Sequence, residues 1–224
     1  TRSIWVTGVQ TCALPIFYYL NDSPDRMATL IESHREVIEA GITREQLRAL
    51  LPAGGARNAL DCALWELESK QLGQPVWKLA DLKQVVPRIT TFTLGADSPR
   101  TVADGAKALT DARALKLKLS GEIEVDAERV RAVREVRPDV WLGVDANQGF
   151  TRDSLVKLLP VLLDAGVQLV EQPLARGQEA DLDGFDSPIP LAADESVQGL
   201  ADIESLTGRF DYMEIGRASC RERV

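Results

Sequence analysis

From Pro87 onward, short apolar runs alternate with longer amphipathic stretches, and this rhythm limits the fold more than any other feature of the chain. The candidate strands are RITTFTL (88–94), ALKLKL (114–119), VWLGVDA (140–146), VQLVEQ (167–172), IPLAAD (189–194) and FDYMEI (210–215). Between and after them, residues 99–112, 123–137, 151–165, 179–185 and 199–208 read as helices, the last two short. Apolar strands alternating with helices call for a parallel sheet covered on both faces. With six such units a (β/α) barrel is favoured over an open doubly wound sheet. No Gly-x-Gly-x-x-Gly follows any strand, which removes the dinucleotide-binding form of the open sheet.

The region before Pro87 has a different texture. SPDRMATLIESHREVIEAGI (23–42) reads as a helix opened by Ser23 as cap and Pro24 in the first turn, and TREQLRALL (43–51) as a second. After the turn PAGG, residues 56–73 place Ala59, Leu60, Ala63, Leu64 and Leu67 at helical spacing and stop at Gly73. Gly54-Gly55 is a turn and not a phosphate loop, because no strand precedes it and no Gly-Lys-Ser/Thr follows. The single histidine, His34, lies in this helical region, away from any strand end, and reads as a surface residue.

Within the strands, charge sits where a buried sheet gives no reason for it. Lys116 and Lys118 share one face of the second strand, while Leu115, Leu117 and Leu119 share the other. Lys118 closes that strand, Asp145 the third (GVDANQG), Glu171 the fourth (LVEQPL) and Asp194 the fifth (LAADES). The separations, 27, 26 and 23 residues, are each about one repeat. Strand ends placed in this way converge on the C-terminal face, where barrel enzymes build their sites. Three acids meeting in one pocket repel one another and are costly to bury unpaired. A hard divalent cation answers both problems, and Mg²⁺ accepts carboxylate oxygens while keeping positions open for a substrate. Taken singly, each acid could cap a helix or face water, and the two lysines could snorkel from an exposed edge strand.

Composition adds exclusions. The 224 residues carry a formal charge of −8, which argues against a nucleic-acid partner. No apolar run approaches a membrane span and no signal-peptide pattern is seen, so a cytoplasmic location is expected by default. The end segments 1–16, which contain VTGVQTCALPI, and 214–224, EIGRASCRERV, lack the periodicity of the rest. They resemble in-frame translations of sequencing adaptors and are expected to be non-native. Cys62 is then the only cysteine of residues 17–213, so neither a disulfide framework nor a zinc site is expected.

KLKL, GVDANQG, VEQPL and AADES, in this order and spacing, resemble the enolase superfamily, specifically its muconate-lactonizing-enzyme-like subgroup with a Lys-x-Lys strand. Within that subgroup, the stretches at 56–73, 90–95 and 188–213 are most similar to dipeptide epimerases of the L-Ala-D/L-Glu kind. The resemblance implies an α/β fold: a truncated (β/α)7β TIM-like barrel at 87–213 and a partial helical capping domain at 17–86. It implies Mg²⁺ held by Asp145, Glu171 and Asp194. Lys118 is then the acid/base on one face of a substrate α-carbon, with Lys116 orienting it and lowering its pKa by like charge. The reaction implied is 1,1-proton transfer through an enediolate on a dipeptide or related carboxylate, in the full-length parent. A cycloisomerase or an o-succinylbenzoate-synthase-like activity would use the same residues, and a non-catalytic relative is the third reading. An epimerase also needs a lysine on the opposite face, expected near position 216, where this chain has Gly216. The fragment as given is therefore expected to be inactive. Neither a nucleic acid nor a membrane is implied as partner, and homo-oligomerisation of the parent is left open.

Overall fold

The structure, a computed structural model, describes residues 23–198 and 200–214. Of the two end segments set apart above, only Glu214 falls within them. The chain divides into two compact units at Pro87/Arg88.

The first unit is helical: α1 (Pro24–Glu32), α2 (Arg35–Glu39), α3 (Arg44–Leu50), α4 (Gly55–Leu72) and α5 (Val76–Leu79). The expected single helix over 23–42 is two, because the Ser33 hydroxyl donates to the Leu30 carbonyl and His34 Nδ1 lies 2.9 Å from the same oxygen. Side chains that satisfy carbonyls locally compete with the continuing ladder. Thr43 opens α3 with a capping box closed by Gln46, and Gly73, at φ 60°, ends α4. Ile42, Leu47 and Leu51 form a small core against which Leu60 and Leu64 pack, whereas Leu67 remains exposed. Arg44 joins α3 to α4 through two 2.9 Å hydrogen bonds to Glu68, with its guanidinium over the Trp65 ring.

The second unit contains β1 (Phe92–Leu94), α6 (Pro99–Ala108), β2 (Ala114–Lys118), α7 (Ile123–Val136), β3 (Trp141–Asp145), α8 (Arg152–Asp164), β4 (Leu169–Glu171), β5 (Leu191–Ala193), α9 (Leu200–Leu206) and β6 (Tyr212–Met213). The strands form one parallel sheet in the order β1-β2-β3-β4-β5-β6. A doubly wound sheet reverses its strand order at a switch point, and this one does not reverse, as expected of a barrel wall. Residues 88–91 fall outside β1, and the helix expected at 179–185 is only a 3-10 turn at Glu179–Leu182. Among the described residues, no helix is long and apolar enough to cross a membrane.

The core explains the direction of the side chains. Leu115, Leu117, Leu142, Val144 and Val170 point to the helices and are fully buried with Val130, Val133, Leu155, Leu158 and Leu162. Truncating one such leucine to alanine costs about 2–5 kcal/mol. Period-2 alternation then sends the intervening residues to the opposite face, where the charges lie.

The loops that follow β2 and β3 are pressed together. Gly121 has φ +89°, and a Cβ there would lie 2.5 Å from the carbonyl oxygen of Gly149. Asp126, fully buried on α7, fixes the same loop by accepting from the amides of Ser120 and Gly121 and from Arg129. Arg129 reaches on to the carbonyls of Ala96 and Asp97 after β1. Gly121→Ala is expected to destabilise the protein by roughly 2 kcal/mol or more, since both backbone conformation and space forbid the methyl. A denaturation midpoint equal to that of the parent would contradict this packing.

Candidate active site

Parallel pairing carries one face of the sheet from strand to strand. Lys118 is registered beside Asp145, Asp145 beside Glu171, Glu171 beside Ala192, and Ala192 beside Tyr212. Asp194 and Glu214 stand two residues beyond Ala192 and Tyr212, so the backbone alternation brings both to the same face. The ladder between β3 and β4 extends past the strands: the amides of Ala146, Gln148 and Phe150 donate to the carbonyls of Glu171, Gln172 and Pro173. These bonds hold the two acid-bearing strand ends side by side.

The lysines meet these acids directly. Lys118 Nζ donates to Asp145 Oδ2 at 3.0 Å and to Asn147 Oδ1 at 2.8 Å. Lys116 Nζ donates to both oxygens of Glu171, at 2.9 and 2.8 Å, and lies 3.4 Å from Asp145 Oδ2. Both acids are buried and both lysine side chains are about four-fifths buried. Charge-assisted bonds in such surroundings are short and orienting, so each ammonium has a defined position. Glu171 and Asp194 present oxygens within 4.8 Å of one another and of Glu214, whereas the Asp145 carboxylate is turned to the two lysines.

Four carboxylates therefore gather beside two ammonium groups, and Glu195, bonded to Asn147, is a fifth close by. Burial pushes Glu171 up to about 9, aided by Asp145 and opposed by Lys116. Burial, then Glu195 and Glu214, push Asp194 up to about 7. Burial also raises Glu195. Burial alone would lower Lys116, but Asp145, Glu171 and Glu214 outweigh it and hold the ammonium above the usual lysine value. Burial is the first cause of the three carboxylate shifts, and neighbouring carboxylates add to it. Glu195, 4% exposed, has an oxygen, Oε2, with no hydrogen-bond partner among the described residues. An all-oxygen donor set with surplus negative charge fits a hard divalent cation.

All five residues singled out in the sequence, Lys116, Lys118, Asp145, Glu171 and Asp194, thus lie on one face of the sheet. Four others join them: Asn147, for which the sequence allows a bond to a metal-bound water or a loop turn equally, and Glu195, Glu214 and Gln172. Asn147, at φ 43°, bridges Lys118 and Glu195, its amide nitrogen 3.4 Å from Glu195 Oε1. Glu195 follows Asp194 directly, and strand alternation alone would send it outward; β5 ends at Ala193, and the chain turns it back. Glu214 belonged to a segment set aside as non-native. Gln172, wholly buried, gave no signal beyond its place after Glu171.

Comparison with known proteins finds two family matches. The mandelate racemase / muconate lactonizing enzyme N-terminal domain matches residues 6–80, and the enolase C-terminal domain-like family matches residues 101–215. The chain is 38% identical over 178 residues to the L-Ala-D/L-Glu epimerase of Escherichia coli (strain K12), covering 80% of this chain and 56% of that protein. A solved L-Ala-D/L-Glu epimerase superposes with a TM-score of 0.75 at 36% identity, covering 86% of this chain and 60% of the other. The dipeptide epimerase of Enterococcus faecalis V583, complexed with Mg and L-Leu-L-Tyr, gives 0.79 at 28% identity, covering 88% and 59%. The chain spans about half the length of the curated relatives it matches.

Proposed function

This chain belongs to the mandelate racemase / muconate lactonizing enzyme family of the enolase superfamily, and from that premise we propose that it is part of an isomerase that epimerises a dipeptide. The proposal concerns the full-length parent of residues 17–213, called the longer protein below, with its own residues in place of the two end segments. The observation that carries it is the pair of lysines on one face of β2, each hydrogen-bonded to a strand-end carboxylate of the neighbouring units. A purely structural sheet has no use for this arrangement, whereas proton transfer beside a carboxylate substrate does.

Asp145, Glu171 and Asp194 would hold Mg²⁺, with Glu195 close by. When bound, the ion supplies positive charge against the substrate carboxylate as the α-proton leaves, which is what makes so weak a carbon acid accessible. Lys118 removes or returns that proton on one face of the α-carbon, giving an enediolate between the two steps. Asp145 and Asn147 fix the position of its ammonium. Lys116, held by Glu171, sits one pleat deeper and offsets negative charge beneath the site. The small molecule acted on is a dipeptide with a free C-terminal carboxylate, such as L-Ala-D/L-Glu, in keeping with the named activities of the relatives.

The test is a direct assay. The longer protein with Mg²⁺ is expected to interconvert Ala-L-Glu and Ala-D-Glu and to leave the cyclohexadiene substrate of o-succinylbenzoate synthases unchanged. The reverse pattern would overturn the dipeptide assignment while leaving the shared proton-abstraction site standing. The 224-residue chain itself is expected to be inactive, because Gly216 stands where the opposite-face base belongs.

A further inference from the structure

Gln172 lies between the acid-bearing strands and is put to use at every polar atom. Its side chain is 0% exposed. The carboxamide oxygen accepts from the amides of Asp194, at 2.9 Å, and Ser196, at 3.1 Å. Its nitrogen donates to the Leu174 carbonyl, at 2.9 Å, and to Ser196 Oγ, at 2.8 Å. The backbone is equally occupied: its amide donates to the Ala192 carbonyl, and its own carbonyl accepts from Gln148. One residue thus ties together the loops that follow β3, β4 and β5.

Its conformation is costly. Gln172 has φ +36°, in the left-handed region that a long side chain seldom adopts. Such strain persists only where the surroundings impose it. Strain held beside Glu171 and repaid by contacts to Asp194 points to the relative placement of these two residues as its purpose. A glutamine at this point has a further merit over a charged residue: it grips two amides without adding to a pocket already rich in carboxylates.

We propose that Gln172 is a positioning residue that sets the distance between Glu171 and Asp194, and through it the affinity for the divalent cation, chiefly by its carboxamide oxygen. This rests on the reading of the site given above. Loss of an orienting partner of a ligand costs about 10–100-fold in metal affinity. The experiment uses the longer protein and Mg²⁺ alone, by isothermal titration calorimetry, with thermal unfolding in metal-free buffer beside it. Gln172→Met, similar in size and without polar atoms, is expected to raise the Mg²⁺ Kd by about 10–100-fold, with much of kcat regained at saturating Mg²⁺. Ser196→Ala removes a partner of the carboxamide nitrogen and leaves both amides on the oxygen, so its Kd is expected to stay within about threefold of the parent's. Should Gln172→Met not fold, Gln172→Asn, polar but one methylene short of both amides, is read by the same criterion. Parental Kd in a folded Gln172 variant, or an equal loss in Ser196→Ala, would overturn the inference. Failure of the unsubstituted protein to bind Mg²⁺ would instead overturn the metal reading itself.

Discussion

Lys118→Ala in the longer protein is expected to abolish epimerisation in both directions, by at least about 10³-fold, since a proton transfer between the two faces needs an acid and a base. Proton exchange is expected to survive on one side only. A base on the opposite face, expected at the end of the sixth strand, still reaches the α-proton of one epimer. The acidic cluster of Glu171 and Asp194 is untouched by the substitution, so charge on the substrate carboxylate is still met. Incubation in deuterated solvent should therefore exchange the α-proton of one of Ala-L-Glu and Ala-D-Glu slowly and that of the other not at all, read by NMR. Replacing the opposite base should reverse which epimer exchanges. Equal exchange of both epimers in the Lys118 variant would show that Lys118 is not specific to one face. Loss of the ammonium also frees Asp145 Oδ2 and Asn147 Oδ1, so Lys118→Arg serves as a control that keeps a cation there.

The second large effect concerns the cation and pH. Asp145→Asn, Glu171→Gln and Asp194→Asn should each weaken Mg²⁺ binding by more than the roughly 10–100-fold that loss of a supporting group costs. Without metal, Asp194 is held at about 7 and Glu171 at about 9, both above the ordinary carboxylate range. The folded state then binds protons more tightly than the unfolded one between about pH 4 and these values. The stability these groups contribute is complete below that window and is lost as pH rises through it. A divalent cation takes the deprotonated form and reverses the trend. The metal-free thermal midpoint should fall from pH 5 to pH 9, and the gap between Mg²⁺-saturated and metal-free protein should widen over the same range. Asp194→Asn should flatten the lower half of that dependence. A gap independent of pH would contradict the assignment of these carboxylates to the metal.

Much of the fold could be read one residue at a time. The alternation of apolar strands with amphipathic helices specified a parallel α/β sheet, because burial on both faces is the only use for such strands. Period-2 alternation placed Lys116 and Lys118 on one side and the leucines on the other, and the repeat spacing put Asp145, Glu171 and Asp194 at successive strand ends. These are short-range regularities of the backbone, and a linear sequence carries them directly.

What only the tertiary structure decided lies where the chain leaves those regularities. Lateral register chose that Lys118 should meet Asp145 while Lys116 meets Glu171, a pairing that no spacing along the chain specifies. The left-handed backbone at Gln172 turned its side chain to the amides of Asp194 and Ser196 after β5, where no regularity of a continued strand would have sent it. The end of β5 at Ala193 returned Glu195 to the acidic pocket, and β6 brought Glu214 beside Glu171 and Asp194. Each of these depends on contacts between residues 20 to 55 positions apart, settled by packing and hydrogen bonding of strands and loops. Periodicity reports which way a side chain faces within its own strand; only the assembled sheet fixes what it faces.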